Sequence, residues 1–116
     1  MGTIHHTAVV VTGPEDKRLT KAHKKAIKLF GKDSVTKLCG QGVNGYLSFM
    51  VAPTGSKMGW ETQNTYLKNV DIFVKFLETF KYEDGSTSVK FVKLSYGELG
   101  LDVFDYRGNE LYAEDK

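Results

Sequence analysis

Thr3-Ile4-His5-His6-Thr7-Ala8-Val9-Val10-Val11-Thr12 is rich in β-branched side chains and reads as a strand. Three valines in a row put apolar groups on both of its faces. That pattern belongs to a strand inside a sheet rather than at its edge. The rest of the chain must therefore supply neighbours on either side and layers to cover it.

Gly13-Pro14 breaks the strand. Pro14, Glu15 and Asp16 suit the first turn of a helix, because proline needs no N–H there and acids meet the positive end of the helix dipole. Leu19, Ala22, Ala26 and Phe30 recur at helical spacing, so the helix runs to about Phe30 and Gly31 ends it. Its other face carries Lys17, Lys21, Lys24, Lys25 and Lys28. Residues 34–39 read as a second strand, 40–45 as a glycine-rich turn and 46–52 as a third strand. A second helix is predicted over 62–81, with Val70, Phe73, Val74, Leu77 and Phe80 facing inward. Ile72 and Phe76 lie off that stripe, which points to contact with another subunit or layer. Glu83-Asp84-Gly85-Ser86 is a turn, and 87–96 a fourth strand. Residues 99–113 read as a hairpin turning at Arg107-Gly108-Asn109, followed by a loose tail.

This order predicts an α+β fold: a ferredoxin-like βαββαβ antiparallel sheet with two helices on one face, plus a C-terminal β-hairpin. At 116 residues the whole chain, 1–116, is expected to form a single domain with an ordinary core. Sixteen Lys and Arg stand against fourteen Asp and Glu, a net charge of +2. That balance argues against a dedicated duplex-DNA binder. Cys39 is the single cysteine, so neither an intrachain disulfide nor a multi-cysteine metal site is available. No apolar run reaches the roughly 18–20 residues that span a bilayer, and the N-terminus has no secretion-signal pattern. A reducing cytoplasm, without a membrane, is the expected setting.

Gly40-Gln41-Gly42-Val43-Asn44-Gly45 satisfies G-x-G-x-x-G, but a dinucleotide fold needs a helix after those glycines and here a strand follows. The stretch reads as a hairpin turn, for which Asn44-Gly45 is the strongest short signal. His5-His6-Thr7 contains one H-x-T triplet. Two-histidine phosphoesterases use two, and a single triplet cannot supply both acid and base. Paired histidines also begin some metal sites, but later strands offer mostly Ser, Lys and Tyr, so no metal or other cofactor is expected. Neighbouring residues alternate faces on a strand, so His5 and His6 should point opposite ways. Cys39 reads as a small buried apolar group.

The strongest functional candidate is Pro53-Thr54-Gly55-Ser56-Lys57-Met58-Gly59-Trp60. Gly55 and Gly59 let backbone N–H groups turn toward an anion. Lys57 supplies charge, Ser56 a hydrogen bond, and Trp60 a surface on which a base can stack. These are the parts of a binding site, without an acid–base pair or a nucleophile.

The segments His5-His6-Thr7-Ala8-Val9-Val10-Val11-Thr12, Asn44-Gly45-Tyr46-Leu47-Ser48-Phe49 and Ala52-Pro53-Thr54-Gly55-Ser56-Lys57-Met58-Gly59-Trp60 together resemble a widespread family of small bacteriophage proteins. Tyr82-Glu83-Asp84-Gly85-Ser86 and Ser95-Tyr96-Gly97-Glu98 extend the resemblance over residues 3–98, and 99–116 falls outside it. The family is associated with viral sponges of the anti-CBASS and anti-Thoeris class, which sequester cyclic nucleotide signals of bacterial immunity. The resemblance therefore implies a non-enzymatic protein of the host bacterial cytoplasm. It would bind a cyclic di- or oligonucleotide, or a cyclic ADP-ribose-type signal, as a homo-oligomer whose subunits enclose the ligand.

Within that expectation Lys57 and Arg18 or Lys21 face phosphates, Trp60 and Tyr46 stack on bases, and Ser56, Asn44 and Thr7 bond base or ribose edges. Two alternatives stay open. One is a small glyoxalase-like or phosphodiesterase-like enzyme using His5 or His6. The other is a protein–protein inhibitor of a host factor, acting through the acidic terminal hairpin or the exposed face of the second helix.

Overall fold

The computed structural model describes residues 4–41, 43–53, 61–80, 89–97 and 107–108. Its elements are β1 (His5–Pro14), α1 (Lys17–Phe30), β2 (Tyr46–Val51), α2 (Glu61–Leu77), β3 (Lys90–Gly97) and β4 (Arg107–Gly108). The sheet order is β2-β1-β3-β4, and every pairing is antiparallel. The fold is α+β, with β1 between two neighbours as its three valines require.

The registers align one face. Val9 pairs with Val51 and Lys93, Val11 with Phe49 and Phe91, and Thr7 with Ser95. Side chains alternate along a strand, so these odd positions share a side. That side meets α1 and α2: Val9, Val11, Phe49 and Val51 form one core with Leu19, Ala22, Ala26, Val70, Phe73, Val74 and Leu77. Val70, Phe73, Val74 and Leu77 are fully buried, each worth about 1.5–3 kcal/mol against exposure. The other side of the sheet is also apolar, with Ala8 buried and Val10, Met50, Val92 and Leu94 half-buried. Cross-strand hydroxyl pairs tie the strands, Thr7 to Ser95 at 3.2 Å and Thr12 to Ser48 at 2.8 Å.

Several expected boundaries move. Gly13 and Pro14 end β1 rather than break it, opposite Leu47 and Tyr46. Pairing with β3 has stopped at Thr12, so the proline stands at a strand end, where its missing N–H is tolerated. The helix begins three residues after Pro14, because Asp16 is its N-cap and accepts from the N–H groups of Arg18 and Leu19. Gly31 closes α1 with φ 89°, its N–H donating to Ile27 O at 2.8 Å. α2 stops at Leu77, and Phe80 lies in the turn beyond it.

The strand expected over 34–39 is reduced to two isolated bridges, Val35 to Val51 and Cys39 to Ser48. Three residues lie between the bridges on one side and two on the other, so one residue is left over, as at a bulge. The Thr36 hydroxyl takes the Met50 N–H at 2.8 Å where a regular ladder would use a carbonyl. The second strand of the expected ferredoxin-like plan is thus present only as those two bridges beside β2. Arg107 and Gly108, expected at a hairpin tip, instead pair with Lys93 and Val92 as strand residues. The remainder of the expected terminal hairpin lies outside the described residues.

Candidate functional site

Between the end of α1 and the first turns of α2 lies a cleft of about 450 Å³. That size falls within the roughly 300–1,000 Å³ of small-molecule sites. Gly31 stops α1 there, and the turn Lys32–Ser34 carries the chain across. Asn69 on α2 donates its amide nitrogen to Leu29 O at 3.3 Å, satisfying a terminal carbonyl of α1. Ser34 O accepts from Ala52 N at 2.8 Å, which brings the end of β2 to the same place.

Leu29, Phe30 and Tyr66 make the apolar part of the lining. The Phe30 ring lies 5.5 Å from Tyr66 and 5.9 Å from Phe73, the latter edge-on. The Tyr66 hydroxyl is turned into the core, where it donates to the Thr7 carbonyl and lies 3.1 Å from Ala52 O. Tyr66 is 7% exposed, so its ring belongs mainly to the core and only borders the cleft. Ser34, Thr62, Thr65 and Asn69 supply polar groups around these rings. Glu61 and Thr62 open α2 at the cleft, so the positive end of that helix dipole sits there. Such a lining can hold a planar ring and bond its edges, while the Glu61 carboxylate already complements the helix start.

Pro53 and Glu61 flank the segment that carries Ser56, Lys57 and Trp60. Those three residues lie outside the described ones. The chain leaves for that segment from Ala52 and Pro53 and returns at Glu61, against the cleft on both sides.

The other sequence-predicted residues stand elsewhere. Thr7 is 1% exposed and shares its hydroxyl with Ser95, so it belongs to the core and offers no surface to a ligand. Asn44 and Gly45 adopt left-handed backbone, φ 57° and 71°, and Gly45 O accepts from Glu15 N at 2.9 Å. Tyr46 is half-exposed and opens β2 opposite Pro14. It lines a depression with Cys39, Gly40, Gln41 and Ser48. The length of β2, about 17 Å for six residues, separates Tyr46 from the Pro53 end.

Lys21 shares a depression of about 490 Å³ with Asp16, Lys17, Thr20 and Lys24. Nine residues at about 100° each put Lys21 on the opposite side of α1 from Phe30. Arg18 is occupied by Asp16, its guanidinium 3.0 Å from the carboxylate. Partial burial pushes the Asp16 pKa up, but the Arg18 side chain, the Leu19 and Arg18 N–H groups and the Arg18 charge outweigh it, so its value is lowered.

His6 is half-buried and pairs with Tyr96, while the side chain of His5 lies outside the described residues. Among the described residues no three of His, Cys, Asp and Glu come together as metal ligands would. His23 is structural: its Nε2 lies 2.9 Å from Thr36 O and its ring meets Phe49 edge-on at 4.9 Å. Cys39 is an exposed free thiol, not the buried group expected, because it sits in the outer bridge at the sheet edge.

Sequence reading missed Phe30 as a site residue, along with Ser34, Thr62, Tyr66 and Asn69. A signal existed: positions 62, 65, 66 and 69 follow one helical face, and all four line the cleft.

No protein-family model, curated protein or solved structure matches the chain. No helix among the described residues is long and apolar enough to cross a membrane.

Proposed function

We propose that this chain is a phage anti-defence binding protein. It takes up a cyclic nucleotide signal of bacterial immunity and withholds it from a host effector in the bacterial cytoplasm without cleaving it. The ligand is a cyclic di- or oligonucleotide or a cyclic ADP-ribose-type molecule. The observation that carries this reading is the α1–α2 cleft, whose aromatic and hydroxyl lining adjoins both flanks of the Ser56–Trp60 segment.

The division of labour follows from the chemistry. Phe30 takes the base, and Ser34, Thr62 and Asn69 bond its edges or the ribose. Ser56, Lys57 and Trp60 are assigned their parts from the sequence alone. A sponge gains from groups fixed before the ligand arrives, since preorganisation cuts the ordering cost of binding and slows release. A homo-oligomer would close the open side of the cleft, and Ile72, 40% exposed on α2, supports such an interface.

A thermal-shift screen against cyclic dinucleotides, cyclic trinucleotides and cyclic ADP-ribose isomers tests the proposal. A ligand at 100 times its Kd stabilises the fold by about 2.7 kcal/mol. A shift lost in Lys57→Ala or Trp60→Ala supports the reading, and no shift with any ligand removes it.

A further inference from the structure

We propose that the outer face of α1 is a docking surface for the phosphate backbone of single-stranded nucleic acid, separate from the cleft. The helix Lys17–Phe30 holds six Lys and Arg and no Asp or Glu. Arg18 is held by Asp16, and Lys25 lies over the Phe76 ring at 5.3 Å. The other four, Lys17, Lys21, Lys24 and Lys28, are exposed and form no ion pair among the described residues. Their spacing of four, three and four residues puts them in one stripe, about 16–17 Å long at 1.5 Å per residue.

Such a stripe opposes helix stability, because like charges three or four residues apart repel. An anionic polymer laid along it would remove that repulsion at every step. Lys17, Lys21 and Lys24 also border a concave surface with Thr20 and Asp16, whose carboxylate is paired with Arg18, so part of the stripe has a shape into which phosphates fit. No aromatic ring lies in the stripe, so it would grip the backbone and not read bases. A linear chain suits it better than a compact ligand, since a small cyclic molecule spans only two of the four charges. Without these four lysines the chain's sixteen Lys and Arg fall to twelve against fourteen Asp and Glu, so the rest of it adds no net attraction for a stiff duplex, which favours a flexible single strand.

Fluorescence anisotropy of a labelled oligothymidine with the full chain, read across about 50–200 mM salt, tests this. For single strands the slope of log K against log salt is about −0.7 per phosphate neutralised, so four lysines give about −2.8. Lys21→Ala/Lys24→Ala should bring it to about −1.4, and Lys17→Ala/Lys28→Ala likewise. Lys37→Ala, an exposed lysine outside α1, should leave it unchanged. Alanine favours a helix, so the variants keep the fold, and an unchanged thermal midpoint verifies it. No binding at the lowest salt, or a slope that both double variants retain, overturns the proposal. It stands or falls independently of cyclic nucleotide binding, because the cleft lies on the other side of the helix.

Discussion

The hydroxyl of Tyr66, on α2, donates to the main-chain carbonyl of Thr7 on β1 and lies 3.1 Å from the carbonyl of Ala52 at the end of β2. One side chain thus ties a helix to two strands. Thr7 pairs with Ser95 across the sheet and shares its hydroxyl with it, so the contact locks a fully interior point. The same side chain turns its ring toward Phe30 and forms part of the cleft. Fold and site therefore share a residue.

Tyr66→Phe keeps the ring and deletes the donor. The buried carbonyl of Thr7 loses that partner, at a cost of about 1–3 kcal/mol. Urea unfolding should show the loss as a lower midpoint with an unchanged slope, while ring-dependent ligand affinity stays within a few-fold.

Asp16→Ala removes the N-cap of α1 and should cost about 0.5–2 kcal/mol. The folded-state pKa of Asp16 lies below its ordinary value, so the charged form is the one the fold prefers. Its contribution is full above the unfolded aspartate pKa of about 3.9 and is lost as pH falls through the lower folded value. The stability gap between the parent chain and Asp16→Ala should be constant from neutral pH down to about 5 and shrink below about 4. Thermal melts at stepped pH measure it.

Gly40→Ala introduces a Cβ 2.5 Å from the Tyr46 carbonyl oxygen and 3.0 Å from Leu47 Cδ2. The first neighbour is backbone, which cannot swing aside. The hairpin must open, at about 1–3 kcal/mol. A fall in thermal midpoint is expected, together with faster hydrogen exchange at the Cys39 and Ser48 amides that close the adjoining bridge.

Thr65→Trp sets a large ring beside the cleft from an exposed position on α2. Surface changes of this kind usually move stability by within about 0.5 kcal/mol. Cyclic nucleotide affinity should fall at least tenfold with the melt unchanged, measured by calorimetric titration.

Much of the fold was legible because periodicity reports burial. Val9 and Val11, the 70–77 stripe of α2, and Leu19, Ala22 and Ala26 are all where their spacing predicts. Gly31 ends α1 because its backbone takes φ 89°, which only glycine adopts readily. Local signals failed where tertiary partners decide. Pro14 joined β1 because β2 runs alongside, and 34–39 lost its ladder to one surplus residue and the Thr36 hydroxyl. Phe76, read as an outward group, is covered by Phe80 and Lys25 within the chain.

The site was less legible. Tyr46, Asn44, Lys21 and Arg18 have suitable chemistry, but only the strand direction and helix phase reveal that they stand apart from the cleft. Thr7, expected to bond a base or ribose edge, is put inside by the register with Ser95. Tyr66 escaped notice because its value depends on which way the hydroxyl turns.

The most direct measurement is equilibrium dialysis of the protein against a mixture of cyclic dinucleotides, cyclic trinucleotides and cyclic ADP-ribose isomers, followed by chromatography of what the denatured protein releases. One ligand is expected to be retained in stoichiometric amount and released chemically intact. Retention of none, or release of a hydrolysed product, would contradict sequestration without cleavage.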